Sequence, residues 1–148
     1  MRWLLDTNVV SETALPRPNR AVLAWIARQP EDLVAISIVT LAELQDGIIS
    51  IADDRRRTQL TQWLERSVLP WLGERSLPVT LEILMKWLEV GRTLARNGMT
   101  RNSADLLIAA TATVHNLTIV SRNARDFAGT GVVVYDPWNG KTHRMEMV

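Results

Sequence analysis

The chain has 148 residues, 47% of them hydrophobic and 22% charged, with a formal net charge of +1 and no cysteine. This composition is typical of a single globular domain over residues 1–148, and it excludes a disordered chain. The lack of cysteine excludes disulfides, zinc thiolate sites and cysteine nucleophiles. No apolar run approaches the roughly 18 residues of a membrane span, and Asp6 interrupts any secretory leader, so we expect a cytoplasmic protein without a membrane partner.

Short apolar runs alternate with helical patterns along the first half of the chain. Residues 2–5 and 33–36 predict buried strands, because each run is brief and apolar. Helix signals lie between and after them: a turn at residues 8–12, a helix from Asn19 to Pro30, one capped by Ser37 or Thr40 and lasting to about Ser50, and one opened by Asp53 and Asp54 that ends before Pro70. The helix that ends near Ser50 is predicted to carry an inner face of Leu41, Leu44, Ile48 and Ile49.

The second half of the chain follows the same pattern. A short strand is predicted at residues 77–79. Thr80 then caps a long helix that stops at Asn97 and Gly98, with Glu82 and Lys86 paired on its wet side. Asn102 or Ser103 caps a helix so apolar, over residues 106–112, that burial on several sides is expected. Strands are predicted at residues 117–121 and 132–135, followed from about residue 139 by a mobile tail.

This alternation is typical of βαβ units and predicts an α/β domain around a parallel sheet. Ligands of such sheets gather beyond the carboxyl ends of the strands. Four segments bring an acid or an amide to that edge: Asp6, Glu43, Asp105, and Asn123 with Asp126. No single residue decides the matter, because Asp6 and Asp105 could cap helices, Glu43 could face solvent, and Asn123 and Asp126 are common in turns.

Two of these acids have unusual surroundings for surface groups. Asp6 follows an apolar strand, and Glu43 is flanked by Leu41, Ala42 and Leu44. Carboxylates close together repel one another, and a divalent cation removes that penalty. A cluster of oxygen ligands without histidine or cysteine favours Mg²⁺ or Mn²⁺. The chemistry that such an ion supports here is phosphodiester hydrolysis by an activated water.

Four motifs, in their order and spacing, resemble those of PIN-domain ribonucleases, and closely those of the VapC-type toxins of bacterial toxin–antitoxin pairs. The motifs are LLDTNVVSE at residues 4–12, SIVTLAEL at 37–44 with Gly47, ADLLIAATA at 104–112, and VSRN at 120–123 with Asp126 and Phe127. The ending at residues 131–138, which includes Asp136-Pro137-Trp138, resembles the plasmid-stability branch of that family.

The resemblance implies a PIN-like three-layer domain, with a central parallel sheet of five strands flanked by helices, and an endoribonuclease toxin that depends on Mg²⁺ or Mn²⁺. By motif, Asp6, Glu43 and Asp105 take the places of the acidic metal ligands, while Thr7 and Asn8 hold Asp6 in position. The resemblance also implies an RNA substrate, a homodimer, and a VapB-like antitoxin that blocks the site in a hetero-oligomer.

The family's fourth acidic position falls at or near Asn123, which is a departure from the four-acid pattern. Asparagine can position water or coordinate weakly but carries no charge, and Asp126 is the other candidate for that place. We therefore expect one firmly held ion and a second only with substrate. Only two of the 17 Lys and Arg residues are lysine, and Arg101 and Arg122, beside the acids, are candidates to hold the RNA backbone.

Two other functions stay open from the sequence. A phosphatase of the haloacid dehalogenase type also places an aspartate after its first strand, but it needs a second aspartate where Asn8 stands and a lysine better placed than Lys86. The non-enzymatic alternative is a PIN-fold binding protein with a weakened metal site. Serine hydrolysis is disfavoured, because no G-x-S-x-G motif is present and His115 and His143 are the only histidines.

Overall fold

The structure, a computed structural model that describes all of residues 1–148, contains six strands and seven α-helices. The strands are β1 (Trp3–Leu5), β2 (Val34–Ser37), β3 (Ser76–Leu77), β4 (Thr118–Val120), β5 (Val133–Asp136) and β6 (Lys141–Arg144). The helices are α1 (Thr7–Glu12), α2 (Arg20–Arg28), α3 (Ile38–Ile49), α4 (Asp54–Trp63), α5 (Leu69–Leu72), α6 (Leu81–Arg96) and α7 (Ser103–His115). None of these helices is both long enough and apolar enough to cross a membrane.

All six strands belong to one sheet in the order β3-β2-β1-β4-β5-β6. Strands β1 to β5 are parallel, and Leu5 at the end of β1 lies in register with Ile36 of β2 and Val120 of β4. The chain leaves β1 towards β2 and β3 and later returns on the other side of β1 to form β4. The topological switch point therefore lies between β1 and β4, at the sheet edge where ligands of open α/β sheets bind.

Side chains from alternate positions of each strand pack on opposite faces of the sheet. Leu5 and Ile36 contribute to one core, which contains residues of α1, α2, α3 and the α4–α5 segment. Leu4 and Ala35 contribute to the other core, which contains Ile108 and other residues of α7. Helices on both faces and the sheet between them form the predicted three layers, and α6 packs outside α7.

Side-chain caps start most helices at the places that the sequence predicts. The side-chain oxygens of five residues accept hydrogen bonds from backbone N–H groups in the first turn of the helix that follows: Asn19, Ser37, Asp53, Thr80 and Asn102. These caps satisfy amide groups that have no partner inside the helix, which fixes where α2, α3, α4, α6 and α7 begin.

Three local predictions are wrong. Ile49, placed on the inner face of α3, is 64% exposed, because the buried stripe of that helix repeats every four residues through Thr40, Leu44 and Ile48. Lys86 pairs with Glu89, with 2.7 Å between Nζ and Oε2, and not with Glu82. The helix that begins with α4 continues beyond Pro70. A π-helical turn at Leu64–Val68 leads into α5, where Pro70 occupies the first turn and needs no amide partner.

The C-terminal segment also differs from the prediction. Instead of a mobile tail from about residue 139, Lys141–Arg144 forms the antiparallel edge strand β6, in which Arg144 pairs with Val133 and Lys141 with Asp136. The sheet consequently has six strands and not five. The polar sequence of β6 hides the strand, because an exposed edge strand needs backbone pairing but little apolar burial.

Truncation after Gly140 tests the role of β6. It removes the partner of β5 and the packing of Met145 against the second core, so we expect a melting temperature at least about 4 °C lower, on the order of 1 kcal/mol or more, and self-association through the bare β5 edge. Calorimetry and size-exclusion chromatography measure both, with Thr142→Ala as the control that keeps the strand. An unchanged melting temperature and a monodisperse truncated protein would restore the mobile-tail prediction.

Candidate active site

Asp6 is the central group of the site and is only 6% exposed. It follows β1 directly, so the strand carries its carboxylate to the sheet edge beside the switch point. Its Oδ1 accepts a hydrogen bond from the Thr7 backbone N–H at 2.8 Å. Its Oδ2 accepts one from the Ser121 hydroxyl at 2.8 Å and one from the Asn8 amide at 3.3 Å. Asp6 is thus the N-cap of α1, and it also accepts a hydrogen bond from Ser121, which follows the neighbouring strand β4.

Ser121 joins the ends of β1 and β4. Its buried hydroxyl donates to Asp6 and accepts from Asn8 Nδ2 at 3.1 Å and from the Asn123 backbone N–H at 3.0 Å. The Arg122 backbone N–H donates in turn to Asn8 Oδ1 at 3.1 Å. These bonds tie the loop after β4 to the first turn of α1.

Glu43 and Asp105 approach Asp6 from two different helices. Glu43 lies in α3, and its Oε1 accepts a hydrogen bond from the Thr7 hydroxyl at 3.0 Å. Thr7 therefore contacts two carboxylates, Asp6 through its amide and Glu43 through its side chain. Asp105 lies in the first turn of α7, three residues after the Asn102 cap. Thr7 and Asn8, which the sequence places beside Asp6, both donate hydrogen bonds to its carboxylate.

The pKa values of Asp6, Glu43 and Asp105 are all raised, mainly by burial and partly by the charges of neighbouring acids. Burial, followed by the negative charges of Asp6, Asp126 and Glu43, raises the pKa of Asp105 to about 6. Burial also raises the pKa of Asp6, with a contribution from Asp126, while the hydrogen bonds from Ser121, Thr7 and Asn8 oppose the shift. The pKa of Glu43 is raised by burial and by Asp6, against the hydrogen bond from Thr7.

A divalent metal ion fits the chemistry of this group. Every donor in it is a hard carboxylate oxygen, and every shifted carboxylate is penalised for being charged, which a bound cation would reverse. No three acidic or histidine side chains are already spaced to hold an ion. Hydrogen bonds from Thr7, Asn8 and Ser121 hold the carboxylate of Asp6, and one from Thr7 holds that of Glu43.

The two candidates for the fourth position differ in their relation to the acids. The backbone of Asn123 is fixed by Ser121, but the residue is exposed and adds no charge. Asp126, three residues later in a 3₁₀ turn, acts on the pKa values of both Asp6 and Asp105. Asp126 is therefore the fourth acid that is coupled to the site.

The two candidate RNA-binding arginines, Arg101 and Arg122, have different neighbours. Arg101 donates from Nε to the Ala128 carbonyl at 3.1 Å and from Nη1 to the Thr100 carbonyl at 2.9 Å. It lines a polar cleft of about 440 Å³ together with Asp105, Arg125 and Asp126. Arg122 is exposed and lies over the ring of Trp138, with its Cζ 5.2 Å from the ring centroid.

An apolar groove of about 270 Å³ adjoins the acids on the side of α1, α3 and α4. Thr7 and Glu43 stand in its wall, and Leu44, Ile48 and Trp63 are among its other lining residues. The acidic site therefore lies between an apolar groove and a polar, arginine-lined cleft.

Ser121 is the functional residue that sequence reasoning missed as a member of the site. Its signal was a hydroxyl at the end of a predicted strand, at the same sheet edge as Asp6. Hydroxyls at strand ends are common, and only the pairing of β4 beside β1 gives this one its partner.

Residues 3–132 match the family described as PIN domain. The chain belongs to the PIN domain family. That membership excludes the phosphatase alternative. The contacts of Asn8 also disfavour it, because its amide donates to Asp6 and Ser121 at the position where a phosphatase would need a second aspartate.

Relatives of this PIN domain protein include toxins and ribonucleases. It is 36% identical over 135 residues to the VapC ribonuclease Y4jK of Sinorhizobium fredii, covering 91% of this chain and 96% of the relative. It is 35% identical to the toxin FitB of Neisseria gonorrhoeae (92% and 98% covered) and 33% to the plasmid stability protein StbB of Pseudomonas syringae (91% and 97%). The crystal structure of FitAcB from Neisseria gonorrhoeae superposes with a TM-score of 0.85 at 34% identity, covering 92% and 98%. The chain is thus similar to VapC-type toxins and to the plasmid-stability branch, as the motifs predict.

Replacement of Asp105 by asparagine should stabilise the metal-free protein at alkaline pH. A carboxyl whose pKa rises from 3.8 to about 6 on folding contributes stability below about pH 4, and that contribution is lost as the pH rises through 6. For this half-buried group, after a discount for solvent screening, we expect Asp105→Asn to gain about 1 kcal/mol, or roughly 2–4 °C, at pH 8 and little at pH 4.

Thermal melts in EDTA measure this gain, and Asp46→Asn is the control because Asp46 is an exposed acid of α3. A melting temperature of the Asp105→Asn protein that is equal to or below wild type at pH 8 would show that the carboxylate is not under electrostatic strain.

Proposed function

We propose that this protein is a metal-dependent endoribonuclease, and that it is the toxin of a toxin–antitoxin pair. The observation that carries the proposal is that Asp6, Glu43 and Asp105 come from three distant segments and meet at the switch point of a PIN-domain sheet. Thr7 contacts both Asp6 and Glu43, and the charges of Asp6 and Glu43 raise the pKa of Asp105. The relatives named as ribonuclease and toxin support the substrate class and the biological role. We place the protein in the cytoplasm, in keeping with its lack of cysteine.

The mechanism follows from the oxygen donors at the sheet edge. Asp6, Glu43 and Asp105 would hold Mg²⁺ or Mn²⁺, with Asp126 as a fourth acid. When bound, that ion activates a water and stabilises negative charge on the phosphodiester. Ser121, Asn8 and Thr7 fix the orientation of Asp6 through three hydrogen bonds, and Thr7 also fixes Glu43. Such supporting groups keep the ligand oxygens directed at one point.

The partner that controls this activity is a cognate antitoxin of the VapB type. A solved structure similar to this chain is of FitAcB, and the apolar groove beside the site supplies a surface for an antitoxin segment. A chain seated along Leu44, Ile48 and Trp63 reaches Glu43 and Thr7 at the groove wall. It would thereby block RNA from the acids within a hetero-oligomer.

A homodimer is the second assembly that we propose, and its interface is the outer face of α6. Leu81, Leu84, Met85 and Leu88 form one stripe on this helix, with Leu81 76% and Met85 60% exposed. The stripe borders an apolar hollow of about 210 Å³ at Gly91 and Leu106. Contiguous exposed apolar residues of this kind mark contact surfaces. A twofold-related copy running antiparallel would also bring Glu82 towards Arg92 and Arg96.

Substitution of the acids tests the nuclease. The wild-type protein should cut single-stranded RNA with Mg²⁺ or Mn²⁺ and stop in EDTA. Asp6→Asn and Asp105→Asn should each lower the cleavage rate by more than about 100-fold, because even the groups that orient metal ligands contribute roughly 10–100-fold. Asp46→Asn, the matched change at an exposed acid of α3, should keep the wild-type rate.

Cleavage of a labelled oligoribonucleotide measures these rates, with all variants purified in parallel. Equal cleavage by wild type and Asp6→Asn would mean that the activity is not at this site. A wild-type protein that never cuts with either ion, yet binds its antitoxin, would establish the non-enzymatic PIN-fold alternative.

The dimer has its own test. The double substitution Leu84→Glu and Leu88→Glu places two charges in the α6 stripe, so the free protein should change from dimer to monomer in light scattering after size-exclusion chromatography. Leu23→Glu on α2, also at an exposed leucine, is the control and should stay dimeric. A wild-type monomer, or a dimer that survives the double substitution, refutes this interface.

A further inference from the structure

Arg122 and Trp138 form a paired surface at the ends of β4 and β5. The Arg122 guanidinium lies over the Trp138 indole, with Cζ 5.2 Å from the ring centroid. The backbone N–H of Arg122 donates to Asn8 Oδ1, and Asn8 donates to Asp6. We call this pair the Arg122–Trp138 platform. It is connected to the acidic site through one residue.

Trp138 is a fixed base for this platform. Its backbone N–H donates to Asp136 Oδ1 at 2.8 Å, and its half-buried ring packs against the core on the α1 and α2 face of the sheet. Because the indole is anchored, Arg122 above it loses little further freedom when it contacts a ligand.

The guanidinium of Arg122 has no acidic partner. The structure contains only two ion pairs, Arg57 with Asp54 and Lys86 with Glu89. Arg122 is nevertheless exposed at the same sheet edge as Asp6. Strand β5 lies two strands from β1, a separation of roughly 10 Å. The platform thus presents a planar guanidinium without an acidic partner, at the same edge of the sheet as the acids.

We infer that the Arg122–Trp138 platform binds an unpaired nucleobase of the RNA next to the phosphodiester that is cut, with Trp138 as the residue that positions Arg122. This inference rests on the proposed nuclease function and adds a subsite to it. Unpaired bases stack on aromatic rings and on guanidinium planes, whereas a phosphate also binds a lysine ammonium as a point charge. A guanidinium already laid over an aromatic ring suits the first of these contacts.

RNA binding by the catalytically inactive Asp6→Asn protein tests the platform. In that background, Arg122→Lys keeps the charge but removes the plane, and we expect about tenfold weaker binding of a single-stranded oligoribonucleotide. Trp138→Leu should weaken binding to a similar extent, while Trp138→Phe, which keeps an aromatic face, should stay within about twofold of the parent. Arg66→Lys, at an exposed arginine between α4 and α5, should change nothing.

Fluorescence anisotropy over a salt series measures these affinities. Stacking predicts that Arg122→Lys leaves the salt dependence unchanged and that duplex RNA shows no effect of either platform variant. If Arg122→Lys binds as well as its parent, Arg122 contacts only phosphate and the inference is overturned. Arg122→Lys changes one exposed side chain, so it decides the matter even if Trp138→Leu fails to fold.

Cleavage by the otherwise wild-type protein separates this inference from the nuclease proposal. Arg122→Lys should raise KM about tenfold with little change in kcat, because the platform binds a base and touches no reacting atom. If metal-dependent cleavage is the same in wild type and in both platform variants, the platform inference is refuted and the nuclease proposal stands. If the platform variants weaken RNA binding but the wild-type protein never cleaves RNA, the nuclease proposal is refuted and the platform inference stands.

Discussion

The structure depends on the burial of one carboxylate at the point where the chain reverses direction across the sheet. Asp6 is almost entirely removed from water, and three donors compensate for the solvation that it loses. Two of these donors, Thr7 and Asn8, come from the next residues of the chain. The third, Ser121, lies 115 residues away along the chain. The bonds that compensate the burial of Asp6 therefore also connect the end of β1 to the end of β4.

Much of the fold could be predicted from local chemistry. Capping side chains at Asn19, Ser37, Asp53 and Thr80 mark helix starts in the sequence because the cap contacts lie within three residues. Features that depend on tertiary pairing could not be predicted in this way. Strand β6 has a polar sequence and is defined only by its pairing with β5. The π-helical turn at Leu64–Val68 has no local sequence signal, so the continuation of the helix past Pro70 could not be predicted.

The candidate site shows the same division. Asp6 follows β1, Asp105 lies in the first turn of α7, and Glu43 lies in the second turn of α3. The rule that ligands gather at the carboxyl ends of parallel strands therefore predicts one site for all three. Ser121 and Trp138 could not be assigned from the sequence, because a serine and a tryptophan at strand ends have many roles. Their meaning comes from neighbours distant in sequence, Asp6 for Ser121 and Arg122 for Trp138. The electrostatic effect of Asp126 on Asp6 and Asp105 likewise depends on neighbours that the sequence does not reveal.

The two outermost strands of the sheet, β3 and β6, limit how the molecule can associate. At one end β3 has only two residues and Pro78 follows it, and at the other end β6 presents Lys141 and Arg144 to solvent. Short, charged or proline-flanked borders offer no template for a strand from another molecule. Growth of the sheet into a fibre or a continuous intermolecular sheet is thereby discouraged on both sides. The helical surfaces, by contrast, have no such protection, and the α6 face proposed for the homodimer is one of them.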